Sequence, residues 1–353
     1  GNLRGARLFL GIDVGGTHTD AVAVNADGVA ASCKVVTDHD DLLASVRAAL
    51  ATILEAVDAS EVRQLNLSTT LSTNAIVEGR TEDVGVLVTA GPGIDPHHFM
   101  PCKDFHVLGG VIDHRGREVR PLDMDAVDAA VAACREAGVK VFSVVGKFSV
   151  RNPRHENAVR RAICRCEGAC DCEGADFVTL GHQLGGRLGF PRRIATAYFN
   201  GAVWRLFNGF ADAVEKSLAE LGLAHARVNV LKADGGTMPM AHARKRPVES
   251  IFSGPAASVM GIVALCDIFH DSIILDVGGT TTDIAIFASG APLVEGEGIA
   301  IGSHPTLVRA LKVHSIGIGG DSAISVIGDD VRVGPLRKGP SMAMGGAHPT
   351  LTD

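Results

Sequence analysis

An eight-residue segment occurs twice in this chain, as Asp-Val-Gly-Gly-Thr-His-Thr-Asp at residues 13–20 and as Asp-Val-Gly-Gly-Thr-Thr-Thr-Asp at residues 276–283. Seven of the eight positions are identical. Apolar runs flank each copy, Leu8–Ile12 and Ala21–Val24 around the first, Ile273–Leu275 and Ile284–Phe287 around the second. An apolar run, a Gly-Gly turn and a second apolar run make the pattern of a β-hairpin. Two such hairpins far apart in the chain predict two similar lobes, each opening with strand, turn and strand.

Between the copies the signals alternate. Leu42–Ala56, Asp123–Ala137 and Pro153–Arg165 carry apolar residues at helical spacing, the last with proline at a first-turn position. Ala195–Leu221 reads as one long helix ending near Gly222. Val84–Val88, Val139–Val145 and Val228–Leu231 have the character of buried strands. A last hairpin, Ala323–Ile327 and Val331–Val333, precedes a tail rich in glycine and proline. This alternation predicts an α/β fold. A length of 353 residues suits two domains, placed at residues 1–192 and 193–353. Only 4% of residues are aromatic against 46% apolar, so Val, Ile, Leu and Ala must fill the core.

The repeat carries recognisable chemistry. Gly15 and Gly16, like Gly278 and Gly279, let main-chain N–H groups approach a ligand closely. Thr17, Thr19, Thr280 and Thr282 add hydroxyl donors, and such donors suit phosphate oxygens. Asp13 and Asp276 open the loops, where a carboxylate suits a hydrated Mg2+ or a water. Asp20 and Asp283 close them, either as water-binding or basic groups or as acceptors for turn N–H groups. Facing each other across a cleft, the two copies would clamp the β- and γ-phosphates of a nucleotide. The P-loop signature and a G-x-G-x-x-G after the first strand are both absent, which excludes those phosphate loops.

Charge and cysteine content narrow the partners. An excess of 40 Asp+Glu over 33 Lys+Arg repels phosphate backbones and argues against nucleic acid. No apolar run reaches the roughly 18–20 residues of a membrane helix, and Ser258–Phe269 is interrupted by Asp267. Leu8–Ile12 is too short for a secretory core before Asp13 ends it. These features predict a cytoplasmic chain whose eight cysteines are thiols. Cys164, Cys166, Cys170 and Cys172 form a tight run, read either as a structural metal site or as a surface loop whose thiols stay reduced or pair by chance.

At the paired loops the chain resembles the superfamily of sugar kinases, acetate kinase, actin and heat-shock ATPases, and more specifically the hydantoinase A/5-oxoprolinase family. Gly11–Asp20 is similar to that family's opening motif, with His18 where phenylalanine is usual. Thr69–Ala75 resembles its T-T-x-x-T-N-A segment, Phe148–Glu156 its S-x-N-P-x-H-E stretch, and Arg193–Asn200 its R-T-S-T-x-x-x-N helix start. Asp234-Gly235-Gly236, Ser253-Gly254-Pro255-Ala256, Ile274–Asp283, Ser315–Gly320 and Val333–Asp353 follow in the family's order. Gly91–Asp113 departs from it, lacking a G-R-Q-like stretch.

The resemblance implies two ribonuclease-H-like lobes, mixed sheets flanked by helices, with a nucleotide cleft between them. It implies ATP-dependent opening of a cyclic amide of the hydantoin or 5-oxoproline type. Asp13 and Asp276 would organise Mg2+, with Asp20 a candidate base and a hydantoinase B-type subunit as partner. It also puts Thr69, Thr70 and Asn74 in a cleft-lining loop, and the adenosine-holding segment beyond Asp353, leaving the second lobe incomplete. Rival readings are a small-molecule kinase, an ATP-dependent ketone carboxylase subunit and a non-catalytic ATP-driven switch. His155 and Glu156 read as capping or interdomain contacts, and Gly317, Gly319 and Gly320 either approach the nucleotide or turn into the last hairpin.

Overall fold

A computed structural model describes residues 7–15, 18–38, 41–165, 172, 174–279 and 281–353. The first repeat forms an antiparallel pair, β1 (Leu8–Val14) and β2 (His18–Asn25), extended by β3 (Gly28–Val36). Leu8, Leu10, Ile12 and Val14 alternate along β1 and bury one face of it. Helix α1 (Leu42–Leu54) covers that face with Val46, Ala49, Leu50 and Ile53, which recur at helical spacing. The Asp41 carboxylate caps the helix by accepting the Ala44 N–H at 2.9 Å. β4 (Val62–Thr69) then returns parallel to β1, with Leu67 opposite Ile12, and α2 (Leu71–Val77) follows.

A second sheet starts with β5 (Val84–Thr89) and β6 (Phe105–Val107). A short ladder of β7 (Val111–Ile112) and β8 (Glu118–Arg120) and helix α3 (Met124–Glu136) lead to β9 (Val141–Gly146). Helix α4 (Arg154–Cys164) leads on to β10 (Phe177–Leu180), giving the parallel order β10-β9-β5-β6. Every residue of β5 and β9 is buried, which is why both read as unbroken apolar runs.

After α5 (Gly181–Leu184) the chain corrects one expectation. The segment read as a single helix is two, α6 (Phe190–Ala202) and α7 (Trp204–Glu220), broken at Val203. The break redirects packing: Ile194, Ala197 and Ala202 bury against the second sheet, whereas Phe207, Phe210, Ala211 and Val214 bury against the first. β11 (Arg227–Leu231) and β12 (Thr237–Pro239) then join the first sheet, in the order β12-β11-β4-β1-β2-β3. Residues 227–239, placed by sequence in the second lobe, thus supply two strands to the sheet of the first repeat. After α8 (Met240–Ala243) comes α9 (Ser253–Leu265). The second repeat follows as β13 (Ser272–Val277) and β14 (Thr282–Ala288), which pairs with β15 (Ala291–Pro292) and with the strand Val313–Ile316.

Two features tie these parts together. Arg193 is fully buried and donates to the carbonyl oxygens of Gly146 (2.7 Å), Lys147 (2.6 Å) and Leu188 (3.0 Å) and to Ser149 Oγ (2.7 Å). Burial pulls its pKa down to about 10, with Glu156 3.9 Å away supplying the opposing charge. Glu156 accepts the Gly146 N–H at 2.8 Å and the His182 N–H at 3.0 Å, so it braces loops within the first lobe. The second feature is a seam to the later segment: Arg187 donates to Gly296 O (2.8 Å), and Arg192 to Gly298 O (3.0 Å) and Thr306 O (2.9 Å).

The cysteine expectation is also corrected. Cys164, the last residue of α4, forms a disulfide with Cys172 across a Cα–Cα distance of 4.5 Å, beside the left-handed Arg165 that ends the helix. Cys166 and Cys170 lie outside the described residues, and among the described residues no cluster of three or more His, Cys, Asp or Glu side chains is arranged to hold a metal ion. Burial pushes the Cys102 thiol up to about 12 and Cys134 up to about 11, which makes both poor nucleophiles. No described helix is long and apolar enough to cross a membrane.

Replacing Arg193 with leucine removes the cation but leaves Glu156 and three carbonyl groups buried. Arg193→Leu should destabilise the fold by about 3–5 kcal/mol, read as a lower urea midpoint. A loss below about 1 kcal/mol would show that the network contributes no more than an exposed ion pair.

Candidate active site

The two repeats fold alike, down to single hydrogen bonds. Gly15 donates its N–H to His18 O at 3.1 Å, and Gly278 donates to Thr281 O at 2.9 Å, the same positions of the motif. Asp13 stands opposite Asp20 across β1 and β2, and Asp276 stands opposite Asp283 across β13 and β14. A Cβ on Gly15 would come within 2.9 Å of His18 O, so the turn closes only on glycine.

The first motif opens on a cleft of about 650 Å3 whose lining includes Asp13, Asp20, Lys34, Asn66, Ser68 and Ala257. It lies where the parallel strands β1, β4 and β11 end, the place at which open α/β sheets bind ligands. Asp13 alternates with the buried Ile12 and Val14 and so projects from the opposite face of β1. Burial, the largest effect, raises its pKa above 3.8, a hydrogen bond from Ser68 opposes the rise, and the charges of Asp20 and Asp276 add to it. The second motif thus lies near enough for the charge of Asp276 to be felt at Asp13. Asp13 Oδ1 and Asp283 Oδ1 are buried without a hydrogen-bond partner among the described residues. Asp20 is held at 3.0 Å by Lys34 Nζ, its register partner on β3. A larger hollow of about 840 Å3 between α1, α2 and α7 lies away from both motifs.

Around the second motif the backbone is closely stacked. Gly320 donates its N–H to Gly278 O (2.9 Å) and Asp321 to Gly279 O (2.8 Å). A Cβ on Gly279 would come within 2.8 Å of Asp321 Oδ2, and one on Gly319 within 2.6 Å of Gly278 O. The glycine-rich segment 317–320 is therefore laid against the motif itself, before the hairpin of Ile324–Ile327 and Asp330–Val333.

Two of the threonines are turned inward. Thr19 is fully buried, with its hydroxyl 3.0 Å from Thr37 Oγ1, and Thr282 donates its hydroxyl to Ile318 O at 2.7 Å. Both hydroxyls hold strands together in place of the phosphate-facing role expected of them. Gly16, Thr17 and Thr280 lie outside the described residues. Thr70 and Asn74 join the site indirectly: Thr70 Oγ1 donates to Val14 O (3.3 Å), the last residue of β1, and Asn74 Nδ2 donates to Thr70 Oγ1 (3.3 Å). Thr73 Oγ1 accepts the Phe252 N–H at 3.0 Å, tying this loop to the start of α9. His155 bonds Glu118 at 2.9 Å, away from the cleft. Ser68, Lys34 and Asp321 belong to the site and were not picked out from the sequence, because only strand pairing and the stacking of distant loops bring them to it.

Known proteins share the sequence and the fold of this chain. Residues 9–166 match the family described as hydantoinase/oxoprolinase N-terminal region, and residues 193–353 match hydantoinase/oxoprolinase. The chain is 29% identical to the caprolactamase subunit alpha of Pseudomonas jessenii, over 98% of this chain and 53% of that subunit. It is 26% identical to the acetophenone carboxylase gamma subunit of Aromatoleum aromaticum, over 97% of this chain and 52% of that subunit. The crystal structure of the ATP-dependent caprolactamase from Pseudomonas jessenii superposes with a TM-score of 0.75 at 25% identity, covering 98% of this chain and 54% of that one. The chain thus spans about half the length of the relatives it matches.

Asp13→Asn should raise the melting midpoint at pH 7, where the wild-type carboxylate is charged in a site that desolvates it. The gain should fade as the pH falls through the raised native pKa toward 3.8, below which both states of the wild type hold the proton. A gain independent of pH would show that Asp13 carries no buried-charge penalty.

Proposed function

The chain belongs to the hydantoinase/oxoprolinase family, and from that premise we propose an ATP-dependent hydrolase site that opens a cyclic amide. One observation carries the reading most: two like turns, one from each repeat, each hold a pair of carboxylates, Asp13 feels the charge of Asp276, and Asp13 Oδ1 and Asp283 Oδ1 are buried without a hydrogen-bond partner among the described residues. A desolvated acceptor next to another acid is unfavourable unless a cation or a donor-rich ligand arrives. Asp13 and Asp276 are the residues to hold Mg2+, and the Gly15-Gly16 and Gly278-Gly279 pairs are the candidates to bring main chain to phosphate oxygens, although the N–H groups of Gly15 and Gly278 themselves close the turns. Bound there, Mg2+ supplies neutralisation of phosphate charge.

An amide resists water because its carbonyl is resonance-stabilised. Transfer of the γ-phosphoryl group to the amide oxygen releases ADP and makes the carbon electrophilic. A first water adds to that carbon and the ring C–N bond breaks, the nitrogen leaving protonated as the amine. A second water releases phosphate from the acyl phosphate so formed, and the sum is ATP, lactam and two waters giving ADP, phosphate and an amino acid. The share of this chain is to fix the reacting groups in line and to answer the developing charge. Asp20, fixed by Lys34 at the cleft wall, is the candidate to take a proton from water. Several relatives are subunits of larger enzymes, which supports a partner subunit of the hydantoinase B type.

The likeness to an acetophenone carboxylase subunit favours a second reading, in which the same site activates a ketone for carboxylation. The chain should bind Mg-ATP in calorimetric titration, and Asp276→Ala should weaken binding at least tenfold, roughly 1.4 kcal/mol or more. Phosphate release stimulated by a lactam without bicarbonate supports the hydrolase. Stimulation by a ketone only with bicarbonate selects the carboxylase, and a stable phosphate ester selects a kinase. Unchanged binding in Asp276→Ala would overturn the clamp that all three share.

A further inference from the structure

The end of β11 and the first turns of α9 border two spaces at once. Leu231 and Ala257 line the cleft of the first motif, while Ala233 and Ala256 line a second pocket of about 210 Å3. Phe252, Leu311, Val313 and Ser315 extend the wall of that pocket, and apart from Ser315 every side chain lining it is apolar. The nucleotide clamp makes no use of it.

Strand register brings a carboxylate to this pocket. Asp283 of β14 stands opposite Ser315, and Ala285 stands opposite Val313, in an antiparallel pair. Residues directly opposed in such a pair point to the same side of the sheet. Asp283 therefore projects on the side that Ser315 and Val313 give to the pocket, and its Oδ1 is buried without a hydrogen-bond partner among the described residues. A second mark is Phe252, whose φ of 61° and ψ of 29° lie in the left-handed region that bulky side chains rarely enter. Thr73 Oγ1 holds it there by accepting its N–H at 3.0 Å, and the residue stays 37% exposed. Strain of this kind collects where ligands are held.

We propose, building on the hydrolase site above, that this pocket seats the hydrocarbon ring of a secondary lactam whose N–H donates to Asp283 Oδ1. An apolar cavity of about 150 Å3 accepts a six-membered carbon ring, so one of about 210 Å3 has room for a ring of about seven members. The amide is planar, and in a ring of that size it is held cis, so its N–H and C=O leave the ring on the same side. The apolar body then fills the pocket while both polar atoms face the carboxylate, the carbonyl oxygen lying on the side of the second motif. An open-chain secondary amide, trans by preference, points the two in opposite directions. A ketone of the same shape has no N–H and leaves the buried oxygen unpaired. Pocket and carboxylate together select a cyclic amide.

The test is calorimetric titration of amides into the chain loaded with Mg2+ and a non-hydrolysable ATP analogue. A seven-membered lactam should bind, and its N-methyl derivative and an open-chain secondary amide of equal carbon number should bind roughly tenfold or more weakly. Ala300 lines the pocket from an exposed position, so Ala300→Leu should leave the melting midpoint and nucleotide binding unchanged. The same substitution should weaken the seven-membered lactam by roughly tenfold or more and the five-membered one by less than about threefold. Asp283→Ala should erase the preference for N–H over N-methyl. Nucleotide binding without lactam binding, or lactam binding indifferent to both Ala300→Leu and N-methylation, would overturn the pocket and leave the clamp standing. A wild-type chain that fails to bind the nucleotide would overturn the clamp and the pocket with it.

Discussion

Helix α9 is the wedge on which the rest of this structure depends. Its first turns are built from Ser253, Gly254, Pro255, Ala256 and Ala257, side chains small enough to let two sheets approach it from different sides. Ser253 Oγ donates to Thr69 O at 3.4 Å and stands 3.5 Å from Ser68 Oγ, at the end of β4. Ala257 borders the cleft beside Asp13, while Ala256 and Val259 bury against the second repeat. Only this first half is enclosed: Ser253, Ala256 and Val259 are buried, whereas Val263 and Leu265 are exposed. The enclosed half lies between the first sheet and the second repeat and so bears on the spacing of the Asp13 and Asp276 turns.

With that spacing set, the site is a conflict that the fold tolerates. Asp13 is desolvated, sits opposite Asp20 and feels Asp276, and all three effects oppose its charged form. Ser68 and Lys34 offset part of this, one by a hydrogen bond and the other by charge. Such a cluster is unfavourable for the empty fold and favourable for one that receives a cation. The strain is not shared with the supporting frame: Thr19, Thr282 and the stacked glycines around Gly319 have their hydrogen-bonding groups satisfied inside the protein. Rigid, contented strands hold a few discontented carboxylates.

Much of this was legible in the sequence wherever the signal is local. The two hairpins followed from Gly-Gly turns between apolar runs, and the projection of Asp13 from the face opposite Ile12 and Val14 is contained in their alternation. α1 and α3 carried both spacing and an Asp cap, at Asp41 and Asp123. Thr19 shares its parity on β2 with the buried Ala21 and Ala23, so its inward turn could have been read from the same alternation. The break at Val203 could not, because it is imposed by two sheets competing for successive helices. β4 escaped notice because Gln64, Asn66 and Ser68 alternate with its buried Leu65 and Leu67 and leave no unbroken apolar run, Asn66 and Ser68 lining the cleft. Ser68, Lys34 and Asp321 depend on register and on loops meeting across the chain, which no window of sequence contains.

The seam between α6 and the later segment reads main chain. Arg187 and Arg192 donate to the carbonyl oxygens of Gly296, Gly298 and Thr306, and Leu307 lends its N–H to Thr196 Oγ1 at 2.8 Å. Every residue type offers the same carbonyl and, proline aside, the same N–H. The segment 296–307 can therefore exchange most of its side chains and still be gripped, provided its path is kept. Mutational drift at its exposed positions is decoupled from the geometry of the joint, so a lineage can retouch that surface without renegotiating how the two segments meet.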